Sequence, residues 1–440
     1  MTNFEHFRSF AFRFTNIRRA AAIAASIAMS VLLAACGGGG DGAGSPTAAN
    51  ASISGAPSSA SFVTVSAPGA ASASGTEMSA VNTSSPTTST NSATAPVTNI
   101  AGSTSATITN GNASASAASS TAGDSAPAAP PAPTARRFYG VNGHNNEGGA
   151  YDISSPALQL SQLQDLGVKY YRNEVYSQGT SNKLAGIAQL MDAGGVTVYP
   201  VMLMDIANFS NETDAYDAGF ALGQQTASSC HYPYYEVTNE MDSLALAGNV
   251  DGVYPQDSDN DEFMKVRGII RGMIAGIQSV DTSGKIILGG GTWLHYGFAQ
   301  MLAAGTQPDG STGHPVVEWD ITAWHWYSDQ GDITNACGGT GCHNVLQALH
   351  AFGKPIWINE FGVRLNYGTD EQIAAYLVGN RMMAEFVALA STYDIELIQN
   401  YELYDDPLGG EGAYGLRKND GITQKRAYTA FKSFVAANAM

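Results

Sequence analysis

The sequence predicts an α/β fold, a (β/α)8 barrel preceded by a disordered linker. Three observations lead there. The composition changes abruptly at Arg136-Arg137-Phe138, from a low-complexity stretch to ordinary globular sequence. Beyond that point, eight short apolar runs alternate with amphipathic ones, as βα units do. The residues just past those eight runs are unusually rich in carboxylates, His, Asn, Arg, Trp and Tyr.

The first segment, residues 1–35, reads as a processing signal. Arg13, Arg18 and Arg19 lead into the apolar run Ala20 to Ala35, too short and too rich in small residues for a stable membrane span. It ends Leu33-Ala34-Ala35-Cys36-Gly37 and resembles a bacterial lipoprotein signal. That resemblance implies cleavage before Cys36 and lipid on its thiol, with partition into a membrane through the acyl chains. An ordinary secretory peptide with a chance cysteine is the alternative. Gly37 leaves out the aspartate that often marks inner-membrane retention, so the expectation is a lipid-anchored, outer-membrane location with the head periplasmic or extracellular.

Residues 36–135 form the linker. From Gly37 to Thr134 the chain is mostly Ala, Ser, Thr, Gly, Asn and Pro, without Trp or Tyr, and such a segment buries too little apolar surface to offset its ordering entropy. A flexible chain of this length spans roughly 55–60 Å.

Residues 136–440 form the barrel. The predicted strands are Phe138–Asn142, Val168–Val175, Val196–Leu203, Tyr234–Asn239, Lys285–Gly289, Ile321–Tyr327, Pro355–Glu360 and Glu396–Glu402. Predicted helices include Pro156–Leu166, Asn182–Ala193, Ala215–Ala227, Phe263–Gln278, Asn344–Phe352 and Glu371–Ala390. Near-continuous apolar strands suit a parallel sheet buried on both faces. A doubly wound open sheet is the alternative; the absence of a Gly-rich turn after the first strand counts against its nucleotide-binding form.

The formal charge is −17, and because residues 1–35 carry +3, the rest carries about −20. So acidic a body argues against nucleic acid as a partner. Of the cysteines left after Cys36, Cys337 and Cys342 flank a Gly-rich loop and could close a disulfide; Cys230 would be buried beside a strand. Zinc ligation with His343 is a rival reading that lacks a second cluster. Asp257, Asp259 and Asp261 resemble a calcium loop only in their spacing, since Glu262 and Gly268 stand where Gly and Glu are needed.

Active residues of such a barrel lie at the C-terminal ends of its strands. Those ends carry His144 and Asn145, Arg172 and Glu174, Asn239 and Glu240, Trp293 and His295, Trp324 to Tyr327, Glu360, and Tyr401 and Glu402. Two glutamates delivered to one end of a sheet suit glycosidic-bond cleavage, one protonating the leaving oxygen and the other attacking carbon or activating water. In the Asn-Glu after strand four, the Glu of strand seven, the His-x-Tyr of strand six and the Arg of strand two, the domain resembles a clan A retaining glycoside hydrolase, a TIM-barrel superfamily. Within it the likeness leans towards families 39 and 5, which include enzymes that trim bacterial exopolysaccharide.

The resemblance implies Glu240 as acid/base and Glu360 as nucleophile. It also implies Asn239 on the sugar 2-hydroxyl, Arg172 and Tyr327 keeping Glu360 ionised, and His325 orienting the site. Glu240 is then expected to start protonated, through an apolar wall or the second carboxylate. Arg172 could instead pair with Glu174, and His325 and Tyr327 could be core residues. His144, Asn145, Trp326 and Tyr401 are further candidates for substrate contact. Trp293, Trp324 and Trp326 either stack on sugars or pack. Where many members carry a Trp after strand eight, this chain has Asn400-Tyr401-Glu402, which leaves the substrate open. The chemistry implied needs no metal or cofactor. The expected partner is a poly- or oligosaccharide; a non-catalytic carbohydrate-binding lipoprotein and a transglycosylase are the alternatives.

Overall fold

A computed structural model describes residues 138–406 and 412–439. The signal segment, Cys36 and the linker lie outside the described residues. Eight parallel strands close a barrel: β1 (Phe138–Gly143), β2 (Tyr170–Val175), β3 (Thr197–Met202), β4 (Tyr234–Val237), β5 (Lys285–Thr292), β6 (Ile321–Tyr327), β7 (Ile356–Gly362) and β8 (Ile395–Asn400). Each pairs with its neighbours in sequence, and β1 closes on β8, where Phe138 registers with Leu397. The (β/α)8 TIM barrel predicted from sequence is therefore the fold.

Helices cover the outer face: α1 (Pro156–Leu166), α2 (Gln178–Ala193), α3 (Glu212–Ser229), α4 (Asn260–Gln278), α5 (Tyr296–Ala304), α6 (Val345–His350), α7 (Asp370–Leu377), α8 (Met383–Tyr393) and α9 (Arg426–Ala437). Their ends carry local stop and start signals. Ser155 accepts from Leu158 N ahead of Pro156, and α1 stops at Gly167 with φ 75°. Ser177 and Thr180 form a capping box on α2, and Asn211 caps α3. Asp259 caps α4 by accepting from Asp261 N and Glu262 N, and Asp257 accepts from Tyr254 N. The Asp257 and Asp259 carboxylates are thus engaged in turn and cap bonds. The single predicted helix at 371–390 is two, α7 and α8.

Helices α3 and α4 pack backbone to backbone. A Cβ on Gly272 would lie 2.1 Å from the Tyr216 carbonyl oxygen, so that contact admits no side chain. Arg267, buried at the same seam, is gripped by both oxygens of Glu212 at 2.8 and 2.6 Å and by Gln307 at 2.7 Å.

The barrel interior is filled at the N-terminal end by Tyr170, Tyr199, Ile287, Ile321, Ala323, Trp357 and Leu397. Above that plug the inward residues turn polar: Asn142, Arg172, Glu236, His325 and Gln399 are all buried. Two bulges re-aim side chains there. Strand β7 spends three residues, Ile358 to Phe361, where β8 spends two, and the same shift appears against β6. Strict alternation inward from Trp357 would select Asn359; the extra residue brings Glu360 opposite His325 instead. Strand β5 has a similar shift between Leu288 and Gly291. A Cβ on Gly290 would fall 1.9 Å from His325 Nε2, so the glycine makes the space the imidazole occupies. Among the described residues, no helix is long and apolar enough to cross a membrane.

Candidate active site

Arg172 is the hub of the polar layer. Its Nε and Nη2 grip Glu236 at 2.5 and 2.9 Å, its Nη1 donates to Glu360 Oε2 at 3.2 Å, and Nη2 also reaches Asn239 Oδ1 at 2.5 Å. Its carboxylate partners are therefore Glu236 of β4 and Glu360 of β7 rather than Glu174. Glu236, with no exposed surface, also accepts from Gly290 N at 3.1 Å. Burial alone would lower the Arg172 pKa; the charge and hydrogen bonds of Glu236, then the charge of Glu360, raise it instead.

Glu360 receives a second hydrogen bond, from the Tyr327 hydroxyl to Oε1 at 2.5 Å. Burial and the nearby Glu360 charge push the Tyr327 phenol well above its ordinary pKa, so it stays a donor. His325, wholly buried, places Nδ1 2.8 Å from Glu240 Oε1 and 3.5 Å from Glu360 Oε2. One donor atom from each of Glu240, His325 and Glu360 lies within 4.8 Å of the others. Glu240 is the more open carboxylate, with 21% of its side chain exposed against 10% for Glu360.

Glu240 sits just past β4 in left-handed backbone, φ 46°, two residues after Thr238 at φ 76°. Its N–H donates to Gly290 O at 2.9 Å. Non-glycine residues in this region cost on the order of 1–3 kcal/mol each and persist where surrounding contacts enforce them. Burial pushes the Glu240 carboxyl up, but the His325 hydrogen bond and charge, with Arg364 and Arg172, bring it below the usual range. His325 moves the opposite way: burial lowers it, and Glu360 and Glu240 raise it more. These opposed shifts favour an ionised Glu240 beside a protonated imidazole, where the sequence reading expects Glu240 protonated.

The barrel is similar in fold to a beta-glucosidase from Exiguobacterium marinum, at 12% identity over 69% of this chain and 98% of that one, TM-score 0.51. It is similar also to a GH1 beta-glucosidase from the fungus Humicola insolens in complex with glucose, at 13% identity over 68% and 98%, TM-score 0.50. A GH5_18 protein from Bifidobacterium longum subsp. infantis aligns at 14% identity over 69% and 79%, TM-score 0.47. At such identities the likeness is one of fold. No family model and no curated protein matches the chain.

A second cluster flanks the first on the β8–β1–β2 side. His144 lies between Glu174, with Nδ1 to Oε2 at 3.4 Å, and Glu402, with Nε2 to Oε2 at 3.6 Å. Burial would lower the imidazole, but Glu174 and Glu402 lift it to about 9. Burial pushes Glu402 up to about 8 despite His144. The Tyr401 ring, nearly buried, joins the two clusters, its centroid 5.3 Å from His144 and 6.4 Å from Tyr327.

Two sequence candidates leave the site. Asn145 is buried and bonds Tyr171 and Asn173 at 3.0 and 2.7 Å, holding the start of the β1 loop. Trp326 has no exposed surface and donates to Gly331 O at 2.9 Å, behind the cleft wall. Cys337 and Cys342 form a disulfide across a small hairpin, which leaves no thiolate pair for zinc; Cys230 is buried outside any disulfide. Glu236 was missed: the chain gives a mid-strand Glu no mark beyond a charge inside an apolar run. Glu240, His325 and Glu360 are also the donor group that could hold a metal among the described residues, but the Arg172 guanidinium already puts a cation on Glu360.

Proposed function

We propose that the chain is a retaining glycoside hydrolase that cleaves a polysaccharide through a covalent glycosyl-enzyme intermediate, in the neighbourhood of families 39 and 5. The observation that carries this reading is the pair Glu240 and Glu360, one oxygen of each carboxylate lying within 4.8 Å of the other at the C-terminal end of the barrel strands. Retaining chemistry uses carboxyls about 5–5.5 Å apart, and inverting chemistry about 6.5–9.5 Å, to admit a water.

Tyr327 and Arg172 fix the Glu360 carboxylate for attack on the anomeric carbon. Arg172 also occupies Asn239 Oδ1, which leaves the amide NH2 of Asn239 for a sugar hydroxyl. A bound sugar excludes water from Glu240, and desolvation raises a carboxyl pKa. The proton held at His325 Nδ1 then moves along the 2.8 Å hydrogen bond to Glu240 Oε1. Glu240 passes a proton to the leaving oxygen as the C–O bond breaks and the Glu360 ester forms. In the second half, Glu240 takes a proton from water, the water oxygen attacks the same carbon, and Glu360 departs as carboxylate.

The signal resemblance and the long linker support a head tethered to the outer membrane through lipidated Cys36, acting on a cell-surface or exopolysaccharide substrate. The test incubates the protein with plant and bacterial polysaccharides and assays new reducing ends, with Glu360→Gln alongside. Cleavage by the wild type alone supports the reading. Equal cleavage by the variant sinks it, and sugar binding without cleavage by the wild type would favour a carbohydrate-binding lipoprotein.

A further inference from the structure

Of the chain's five tryptophans, Trp319, Trp324, Trp326 and Trp357 are each at most 4% exposed. Trp293 alone is part-exposed. It follows Thr292, the β5 residue that registers with His325, and β5 also supplies the carbonyl that receives the Glu240 N–H. Trp293 therefore stands on the acid/base side of the barrel mouth. His144, Tyr401 and Glu402 stand across the barrel, just past β1 and β8.

The indole is held on several sides. Its backbone is left-handed, φ 51°, an arrangement that a bulky residue adopts only under constraint. One ring face stacks on buried Trp326, centroids 6.0 Å apart and planes 18° from parallel. Asp251 meets the ring edge: burial pushes its carboxyl up, and hydrogen bonds from Thr340, Gly339 and the Trp293 indole bring it below the usual range. Asp251 is in turn clamped by the disulfide-closed hairpin, Ala336–Gly338 and Gly341–His343. Thr340 at its tip donates N–H and O–H to Asp251 Oδ2, each at 2.6 Å. Gly338 lies so close that a Cβ there would be 2.3 Å from Asp251 Oδ1. On its other side the hairpin's His343 bonds the Tyr296 hydroxyl at 2.9 Å.

A part-open, immobilised indole on the same side of the barrel mouth as Glu240 suits the C–H face of a pyranose ring, since a rigid aromatic offers large contact area at low entropic cost. We infer that Trp293 is the stacking platform for the sugar ring on the leaving-group side of the cleft, and that the disulfide hairpin positions it through Asp251. The assignment of the leaving-group side rests on Glu240 being the acid of the proposed glycosidase. Trp293 binds without touching the reacting atoms, and the hairpin positions Trp293 without touching the sugar.

The experiment runs the full chain, as wild type, Trp293→Ala, Trp293→Phe and Cys337→Ser, through native gels containing soluble β-glucan, xylan or galactomannan, with cleavage of each measured in parallel. Thermal melts confirm folding. The expected result is retardation of the wild type in at least one gel and a loss of about ten-fold in affinity for Trp293→Ala, equivalent to roughly 1.4 kcal/mol of ring-face contact. Trp293→Phe should recover most of it, and Cys337→Ser should fall between. Cys337→Ser should also raise acrylamide quenching of the intrinsic fluorescence, a change a merely structural disulfide distant from Trp293 would not produce.

Unchanged affinity in Trp293→Ala overturns the platform, as does a wild type retarded in none of the gels. Unchanged quenching and affinity in Cys337→Ser overturns the positioning role. Binding lost in Trp293→Ala with no cleavage by the wild type leaves the platform standing and removes the hydrolase. Cleavage with unaltered Trp293→Ala binding does the reverse.

Discussion

Replacing Arg172 by Met tests whether the polar layer is scaffold, site or both. Arg172 is 5% exposed, and its guanidinium satisfies three groups, of which Glu236 is held by two bonds and has no exposed surface. Removal leaves Glu236 buried with only the Gly290 N–H. Stranding one partner of a buried pair costs about 3–5 kcal/mol, whereas replacing both partners by apolar residues is often neutral or better. Arg172→Met should therefore lower stability by about that much, a shift on the order of 10 °C in Tm. Arg172→Met with Glu236→Leu should recover most of the loss. Activity should not return, because Glu360 and Asn239 still lack the group that orients them. The assay is denaturant unfolding of wild type, both singles and the double, with kcat/KM measured on each. A stable Arg172→Met single, or a double variant with wild-type kcat/KM, would refute the reasoning.

Other perturbations separate the layers. Tyr327→Phe deletes a hydrogen bond to a charged acceptor, worth about 1.5–3 kcal/mol, so kcat/KM should fall roughly ten- to a hundred-fold with little change in Tm. Gly272→Ala drives a methyl into the Tyr216 carbonyl and should cost about 1–3 kcal/mol or more in chemical denaturation, while activity per folded molecule is kept. The His144 pKa is raised in the fold, so its contribution is fully present below pH 6.5 and is lost as pH rises through about 9. That contribution is on the order of 3 kcal/mol, and the loss of stability measured between those pH values should become shallower in His144→Gln.

The eight strands were legible because each carries a buried apolar run bounded by turn residues, and both glutamates stood out as carboxylates just past such runs. What stayed hidden was orientation. Period-two alternation along β7 points Asn359 inward, and only the bulge brings Glu360 round to His325. The left-handed backbone at Thr238 and Glu240 has no glycine to announce it, since tertiary contacts enforce it. Arg172 was recognised, but its bond to Glu236 crosses from β2 to β4 over β3, a pairing set by barrel closure rather than by spacing along the chain. Trp326 looked as available as Trp293 because burial behind a wall leaves no trace in a run of aromatics.

The most direct test of the two-carboxylate account is the anomeric configuration of the first product. Proton NMR should follow hydrolysis of the best polysaccharide or its aryl glycoside before mutarotation. Carboxylate oxygens within 4.8 Å call for initial release of the anomer that retains the substrate's configuration. Release of the inverted anomer would contradict the account, because it would mean that water, and not Glu360, attacks the anomeric carbon.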